Sequence, residues 1–267
     1  MEMKIAVCGK GGGGKSTFVT LLANELRGRG YRILVVDSDE SNAGLFRMLG
    51  FNAPPIPLMD FLGGKKGLKE KMATRLSSGD LETKMNVLKE ARLRLSDIPT
   101  GHILRSDGLR LMNIGKILHS LEGCACPMGV LSREFLGKLE LEAGEMAIVD
   151  MEAGVEHFGR GVETNIDTVV AVVEPSFESL ELAMRIKDMA QEVGIKSIWA
   201  VLNKVTSDAM ETMLKEELDK RSVEMLGALH YDDEVFEDCL SGRRIGRGRA
   251  ARETRDIAYA LLSKLGS

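Results

Sequence analysis

The run Gly9-Lys10-Gly11-Gly12-Gly13-Gly14-Lys15-Ser16-Thr17 constrains this chain more than any other stretch. It follows an apolar run, Ile5-Ala6-Val7-Cys8, and precedes a helical pattern from Phe18 to Leu26. A glycine loop between a strand and a helix suits one task well. Glycines let successive backbone N–H groups converge on an anion, and the helix aims its positive end at the same point. The spacing completes the phosphate-binding-loop pattern, which places Lys15 at the β- and γ-phosphates of a nucleotide and the Ser16 hydroxyl at Mg²⁺. Gly11, Gly12, Gly13, Gly14 and Thr17 complete the phosphate cradle. The alternative, a merely flexible turn, requires neither the lysine nor the hydroxyl.

Apolar runs rich in Val and Ile recur along the chain at Lys4–Cys8, Ile33–Asp37, Leu109–Ile114, Ala147–Asp150, Thr168–Val173, Ser197–Leu202 and Met225–Leu229. They do not alternate with polar residues, which is the pattern of strands buried on both faces of a parallel sheet. Helical patterns fall at Lys15–Arg29, Arg133–Glu142, Leu180–Val193, Asp208–Lys220 and Ala250–Lys264. The alternation predicts a single α/β domain over residues 1–267. Its sheet is doubly wound and mostly parallel, is flanked by helices, and binds ligand outside the carboxyl ends of its strands. One stretch, about 52–106, breaks the alternation with Pro54, Pro55 and Pro57, a Gly63-Gly64 pair and a charged run from Lys69 to Arg94. It reads as a surface insertion with one or two helices, either a docking or sensing element or a solvated face.

Polar residues close several of the apolar runs. Asp37-Ser38-Asp39 follows the second run, where a carboxylate can reach Mg²⁺ or position an attacking water. Asp150 closes the fourth run and is placed to hold Mg²⁺ through water. Gly154, four residues on, lets a backbone N–H approach a phosphate closely. Asn203-Lys204 closes the sixth run, and a side-chain amide can both donate to and accept from a purine edge.

The chain carries 36 basic and 40 acidic residues, net −4, and is 44% hydrophobic. That is enough apolar content to bury a core, and it creates no field for nucleic acid or an anionic membrane. No apolar stretch reaches spanning length, and the chain enters a strand with no signal-peptide pattern before it. A cytoplasmic protein is the expectation, with reduced cysteines. Of its four cysteines, Cys8 and Cys239 read as packing, whereas Cys124 and Cys126 form a C-x-C pair before Pro127. In an extended segment residues two apart point to one side, so the thiolates can clamp a soft metal such as Ni²⁺ or Zn²⁺. The alternatives are two small buried residues or a redox pair. Arg243, Arg244, Arg247 and Arg249 form a basic cluster that reads as a solvated face.

The second loop lysine, Lys10, has no task in the simple phosphate-binding pattern. Its presence resembles the deviant P-loop ATPases, which include MinD/ParA proteins, nitrogenase iron protein and metal-centre maturation ATPases. The stretches Gly123-Cys124-Ala125-Cys126-Pro127-Met128-Gly129 and Asp150-Met151-Glu152-Ala153-Gly154-Val155-Glu156-His157-Phe158-Gly159-Arg160-Gly161 are more specific. They look like the CooC-type carbon monoxide dehydrogenase maturation ATPases. The segment Met59-Asp60-Phe61-Leu62-Gly63-Gly64 adds to the likeness, and Gly13 stands where the family usually has Val or Thr.

The resemblance implies a Mg²⁺-dependent ATPase in which Asp39 activates water, Lys10 reaches the partner's nucleotide in a homodimer, and Asn203 reads adenine. Guanine-specific relatives carry aspartate where this chain has Thr206. Relatives often have a proline in the loop near Tyr231 to Glu234, where this chain has Asp232-Asp233. The resemblance further implies that the cysteine pairs of two subunits hold Ni²⁺, with carbon monoxide dehydrogenase as client. The rival is an iron–sulfur redox ATPase resembling nitrogenase iron protein, whose cluster cysteines lie far apart in sequence. The C-terminal segment, Arg252 to Leu265, lacks the lysine-rich face of a membrane-targeting helix.

Overall fold

The computed structural model describes residues 1–40, 42–64, 67, 88, 91–116 and 126–266, with 126, 127 and 163 described for the backbone only. Its strands are β1 Met3–Gly9, β2 Arg32–Asp37, β3 Ile103–Ser106, β4 Leu109–Asn113, β5 Glu145–Asp150, β6 Thr168–Val173, β7 Ser197–Val205 and β8 Met225–His230. They form an eight-stranded sheet ordered β3-β4-β2-β5-β1-β6-β7-β8. Every pairing is parallel except β3 with β4.

The described helices are α1 Lys15–Gly28, α2 Leu45–Met48, α3 Leu58–Phe61, α4 Cys126–Lys138, α5 Glu156–Gly159, α6 Phe177–Glu192, α7 Asp208–Lys220, α8 Asp233–Leu240 and α9 Gly248–Leu265. The architecture is the expected doubly wound sheet. The winding direction changes at β1, between β5 and β6, and the phosphate-binding loop leaves β1 at that point.

The apolar runs sort their residues by parity because successive strand side chains point to opposite faces. Ile5, Val7, Ile33, Val35, Met146 and Ile148 pack under α1 and α9 with Phe18, Leu22, Leu26 and Ile257. Ala6, Cys8, Leu34, Val36, Ala147 and Val149 pack on the other face with Leu131, Phe135, Ala183 and Ile186 from α4 and α6. Phe18 is wholly buried beside the loop, and its truncation to alanine costs about 3–5 kcal/mol.

The structure differs from the sequence expectation in three places. β3, an antiparallel edge strand with Arg105 and Ser106 exposed, has no apolar signature of its own and closes a hairpin at Asp107-Gly108. The helix expected over Arg133–Glu142 instead spans Cys126–Lys138. It stops there because Leu93 takes the following backbone groups: its N–H donates to Lys138 O at 2.8 Å and its carbonyl accepts from Glu140 N at 2.8 Å. The same helix corrects the geometry assumed for the cysteine pair. Cys126 is helical, so the period-two argument fails there, while Cys124 lies outside the described residues. Within the stretch 52–106, Leu58, Met59, Leu62, Leu88, Leu93, Leu95 and Ile98 are buried in the core.

Candidate active site

The carboxyl ends of five adjacent strands converge: β2 ends at Asp37, β5 at Asp150, β1 in the loop, β6 just before Glu174, and β7 carries Asn203-Lys204. Order in space thus gathers residues scattered along the chain. The loop closes with Gly13 N donating to Lys10 O at 3.1 Å, and Gly14 takes φ 94° as the cap of α1. Gly14 also sits against the Asn203 amide, so a β-carbon there would collide with it. Lys15 is buried (6% exposed), with Nζ 3.3 Å from Lys10 O.

Ser16, Asp150 and Asn42 form one cluster. The Ser16 hydroxyl donates to Asp150 Oδ2 at 2.6 Å, and Asn42 Nδ2 donates to Ser16 Oγ at 2.7 Å and to Asp150 Oδ2 at 3.3 Å. Asn42 was not singled out by the sequence, although it stands only three residues after Asp39. Next to this cluster, Lys116 pairs with Asp37 Oδ2 at 2.8 Å and donates to the Asp39 carbonyl. Asn113 Nδ2 reaches Asp37 Oδ2 at 3.3 Å. The acidic group is deeply buried. Burial pushes Asp37 up to about 7, against the opposing pull of Lys116. Burial likewise pushes Asp150 up to about 6, opposed by the Ser16 hydrogen bond and by Lys15.

Asp37 Oδ1, Asn113 Oδ1 and Asp150 Oδ1 are buried without hydrogen-bond partners. All are oxygen acceptors, the donor set that suits Mg²⁺ and its waters. Ser16 and Asp150 would hold the ion, which when bound neutralises charge on the phosphates. Asp39 is buried beside this group, and its negative charge adds to the upward shift of both Asp37 and Asp150.

On the opposite side of the loop, Lys10 and Lys204 share a carboxylate. Glu174 lies 3.3 Å from Lys10 Nζ and 3.1 Å from Lys204 Nζ. A register irregularity between Leu202 and Val205 and a φ of 59° turn Lys204 out of the strand, so that its Nζ also donates to Gly12 O at 2.6 Å. Glu174 was missed by the sequence reading, although a carboxylate directly after an apolar strand is the signal that marked Asp150. Asn203 donates to Gly13 O at 2.8 Å. Gly154, expected to offer its N–H to a phosphate, here gives it to Gly9 O at 3.2 Å. His157 holds the Gly154 carbonyl through Nε2 at 3.1 Å.

A cavity of about 200 Å³ adjoins the loop, with Thr17, Asn203, Lys204, Tyr231, Phe236 and Cys239 in its wall. Its size and mixed lining suit a purine. Cys239, read from sequence as packing, is exposed in this wall. Partial burial pushes its thiol up, against a hydrogen bond with Thr17. Asp232 anchors the same wall. Its Oδ1 accepts from Glu234 N at 3.0 Å and its Oδ2 from Ala250 N at 2.8 Å, so one carboxylate caps both α8 and α9.

Among the described residues no group of three or more His, Cys, Asp or Glu is arranged to hold a metal. The cysteine pair falls outside that statement. No described helix is long and apolar enough to cross a membrane.

Comparison with known proteins matches this geometry. Residues 4–245 match the model of the CobQ/CobB/MinD/ParA nucleotide-binding domain. The chain is 38% identical over 243 residues to the uncharacterized ATP-binding protein MJ0084 of Methanocaldococcus jannaschii, covering 91% of this chain and 94% of that protein. It is 32% identical to the carbon monoxide dehydrogenase accessory protein CooC of Rhodospirillum rubrum, covering 98% and 96%. The septum site-determining protein MinD of Pyrococcus horikoshii, solved with Mg-ADP, shares the fold with a TM-score of 0.68, 18% identity, and coverage of 100% and 98%. The chain is a P-loop ATPase and belongs to the CobQ/CobB/MinD/ParA nucleotide-binding family.

Proposed function

We propose that this ATPase is a nucleotide-driven homodimeric maturation factor that carries Ni²⁺ to carbon monoxide dehydrogenase. The observation that carries this reading is the near-full-length similarity to CooC in a chain that has the Cys124/Cys126 pair. In this reading Lys15 and the backbone amides of Gly11 to Gly14 hold the phosphates, Ser16 and Asp150 hold Mg²⁺, Asp39 orients the attacking water, and Asn203 with Lys204 borders the base. Gly154 reaches the γ-phosphate by exchanging its bond to Gly9. Lys10 leaves Glu174 and contacts the partner's nucleotide. Cys124 and Cys126 supply half of a four-thiolate set, which Ni²⁺ accepts, as does Zn²⁺.

Metal affinity and nucleotide state are then linked reciprocally: whatever ATP does to metal affinity, metal does to ATP affinity. Anaerobic titration of the metal-free protein with Ni²⁺, with and without ATP and Mg²⁺, tests this. Thiolate-to-nickel absorption and molecular mass are followed together. One nickel per dimer is expected, lost in Cys124→Ala and Cys126→Ala while ATP binding persists. Absence of nickel binding, or an iron chromophore in the protein as isolated, overturns the nickel assignment.

A further inference from the structure

A second cavity, about 460 Å³, opens between α1, the loop that follows α8, and the start of α9. Arg27, Arg244 and Arg247 line it with Asn24 and Glu25, and Leu21, Ile245 and Ala251 lie among them; Arg27 pairs with Asp107 at 3.3 Å and Glu25 with Arg29 at 2.8 Å. The neighbouring arginines are neutralised: Arg243 pairs with Asp238 at 2.7 Å and Arg249 with Glu253 at 2.7 Å. Arg244 and Arg247 are exposed, and neither forms an ion pair among the described residues.

Their loop is held in place. Asn24 Nδ2 donates to Ile245 O at 3.2 Å and Ile245 N donates to Met48 O at 3.1 Å. Two close approaches hold the loop further. A β-carbon on Gly50 would lie 2.9 Å from Arg244 Cδ, and one on Gly242 would lie 3.3 Å from Arg47 Cδ. Arg47 is therefore drawn toward the same loop, with its guanidinium over Phe46. Arg244 and Arg247, the two lining guanidiniums without an ion pair among the described residues, focus a positive field in the cleft. Here they do so in a chain of net charge −4.

We infer that this groove docks an acidic polypeptide segment of a partner protein, with carboxylates on the guanidiniums of Arg244 and Arg247. Guanidinium forks match carboxylates in a bidentate manner. The apolar residues between them suit the methylene stems and intervening side chains of a peptide. No lining residue is aromatic, so the groove lacks the stacking platform that single-stranded nucleic acid uses. Leu21 lines both this groove and the cavity beside the phosphate loop, so the docked segment rests on the helix that carries Lys15 and Ser16.

Fluorescence anisotropy of a labelled Glu-Glu-Leu repeat peptide against the full chain tests the inference. Saturable binding is expected, weakened by salt as surface charge pairs are, and weakened about tenfold in the Arg244→Gln/Arg247→Gln double variant. ATP binding by that variant is unchanged if the fold is intact, and a lysine peptide of equal length does not bind. Arg247→Glu weakens binding further than Arg247→Gln. The inference is overturned by no binding, by equal binding in the double variant, or by tighter arginine-dependent binding of a single-stranded oligonucleotide or of phosphatidylserine vesicles.

Discussion

Lys10 and Glu174 of the same chain form an ion pair, Nζ to Oε1 at 3.3 Å. Glu174 also pairs with Lys204, and Glu178 stands 4.0 Å from Lys10. Burial raises the Glu174 carboxyl, but the hydrogen bonds from Lys204 and Lys10 outweigh it, so the group sits below its ordinary value. In the proposed dimer Lys10 must leave this carboxylate. Glu174→Gln therefore lowers the ATP concentration that half-dimerises the protein. A partly exposed pair is worth about 0.2–1 kcal/mol, a shift of roughly 1.5- to 5-fold. Sedimentation velocity across an ATP series reads it, and an unshifted midpoint would show the pair to be a surface contact only.

Asp232 caps two helices that flank the cavity beside the loop. Its replacement by alanine removes both caps, each worth about 0.5–2 kcal/mol. The expected result is a lower melting temperature and a raised KM for ATP with kcat nearly unchanged, because no reacting atom is touched. Asp232→Asn, which keeps one acceptor oxygen, falls between. A fall in kcat at unchanged KM would contradict this role.

Asp150 is fully buried, and burial pushes it up to about 6. Asp150→Asn removes a buried acid yet keeps an acceptor for the Ser16 hydroxyl. Without nucleotide the variant is expected to unfold at higher urea than the parent at pH 8, a stability gained at the cost of function. Its ATP hydrolysis falls at least about a hundredfold, since metal stabilisation of transition-state charge is worth several kcal/mol. Parent-like turnover would remove Asp150 from the Mg²⁺ set.

The pH dependence has a definite sign. Burial, opposed by Lys116, holds Asp37 at about 7 in the folded chain, against about 4 in an unfolded one. Between those values the folded state binds more protons, so the contribution of Asp37 to stability is fully present below pH 4 and is lost as pH rises to about 7. Urea midpoints of the nucleotide-free, Mg²⁺-free protein should show this component between pH 5 and 8, and Asp37→Asn should lack it. Identical slopes in the two proteins would refute the assignment.

Much of the fold was legible because buried parallel strands need continuous apolar runs, and all seven predicted runs are strands. β3 escaped because an edge strand half open to solvent needs no such run. The N-terminal part of α4 escaped because its described residues from Cys126-Pro127 onward carry no helical periodicity, and its end because Leu93 caps it from far away in the chain.

The loop that carries Lys15 and Ser16 was legible because a contiguous loop carries its own geometry: glycines, a strand before and a helix after decide where its N–H groups point. Asp150 was legible for a similar reason, as a carboxylate ending a buried strand. Only the tertiary structure joined Ser16 to Asp150 across 134 residues, Asn203 to Gly13 across 190, and Lys204 to Gly12 across 192. It also placed Lys10 on Glu174, made Asp232 a double cap, and gathered Arg27, Arg244 and Arg247 around one groove. Those relations depend on which strands lie side by side and on which helices share a face, and residue spacing alone does not encode them.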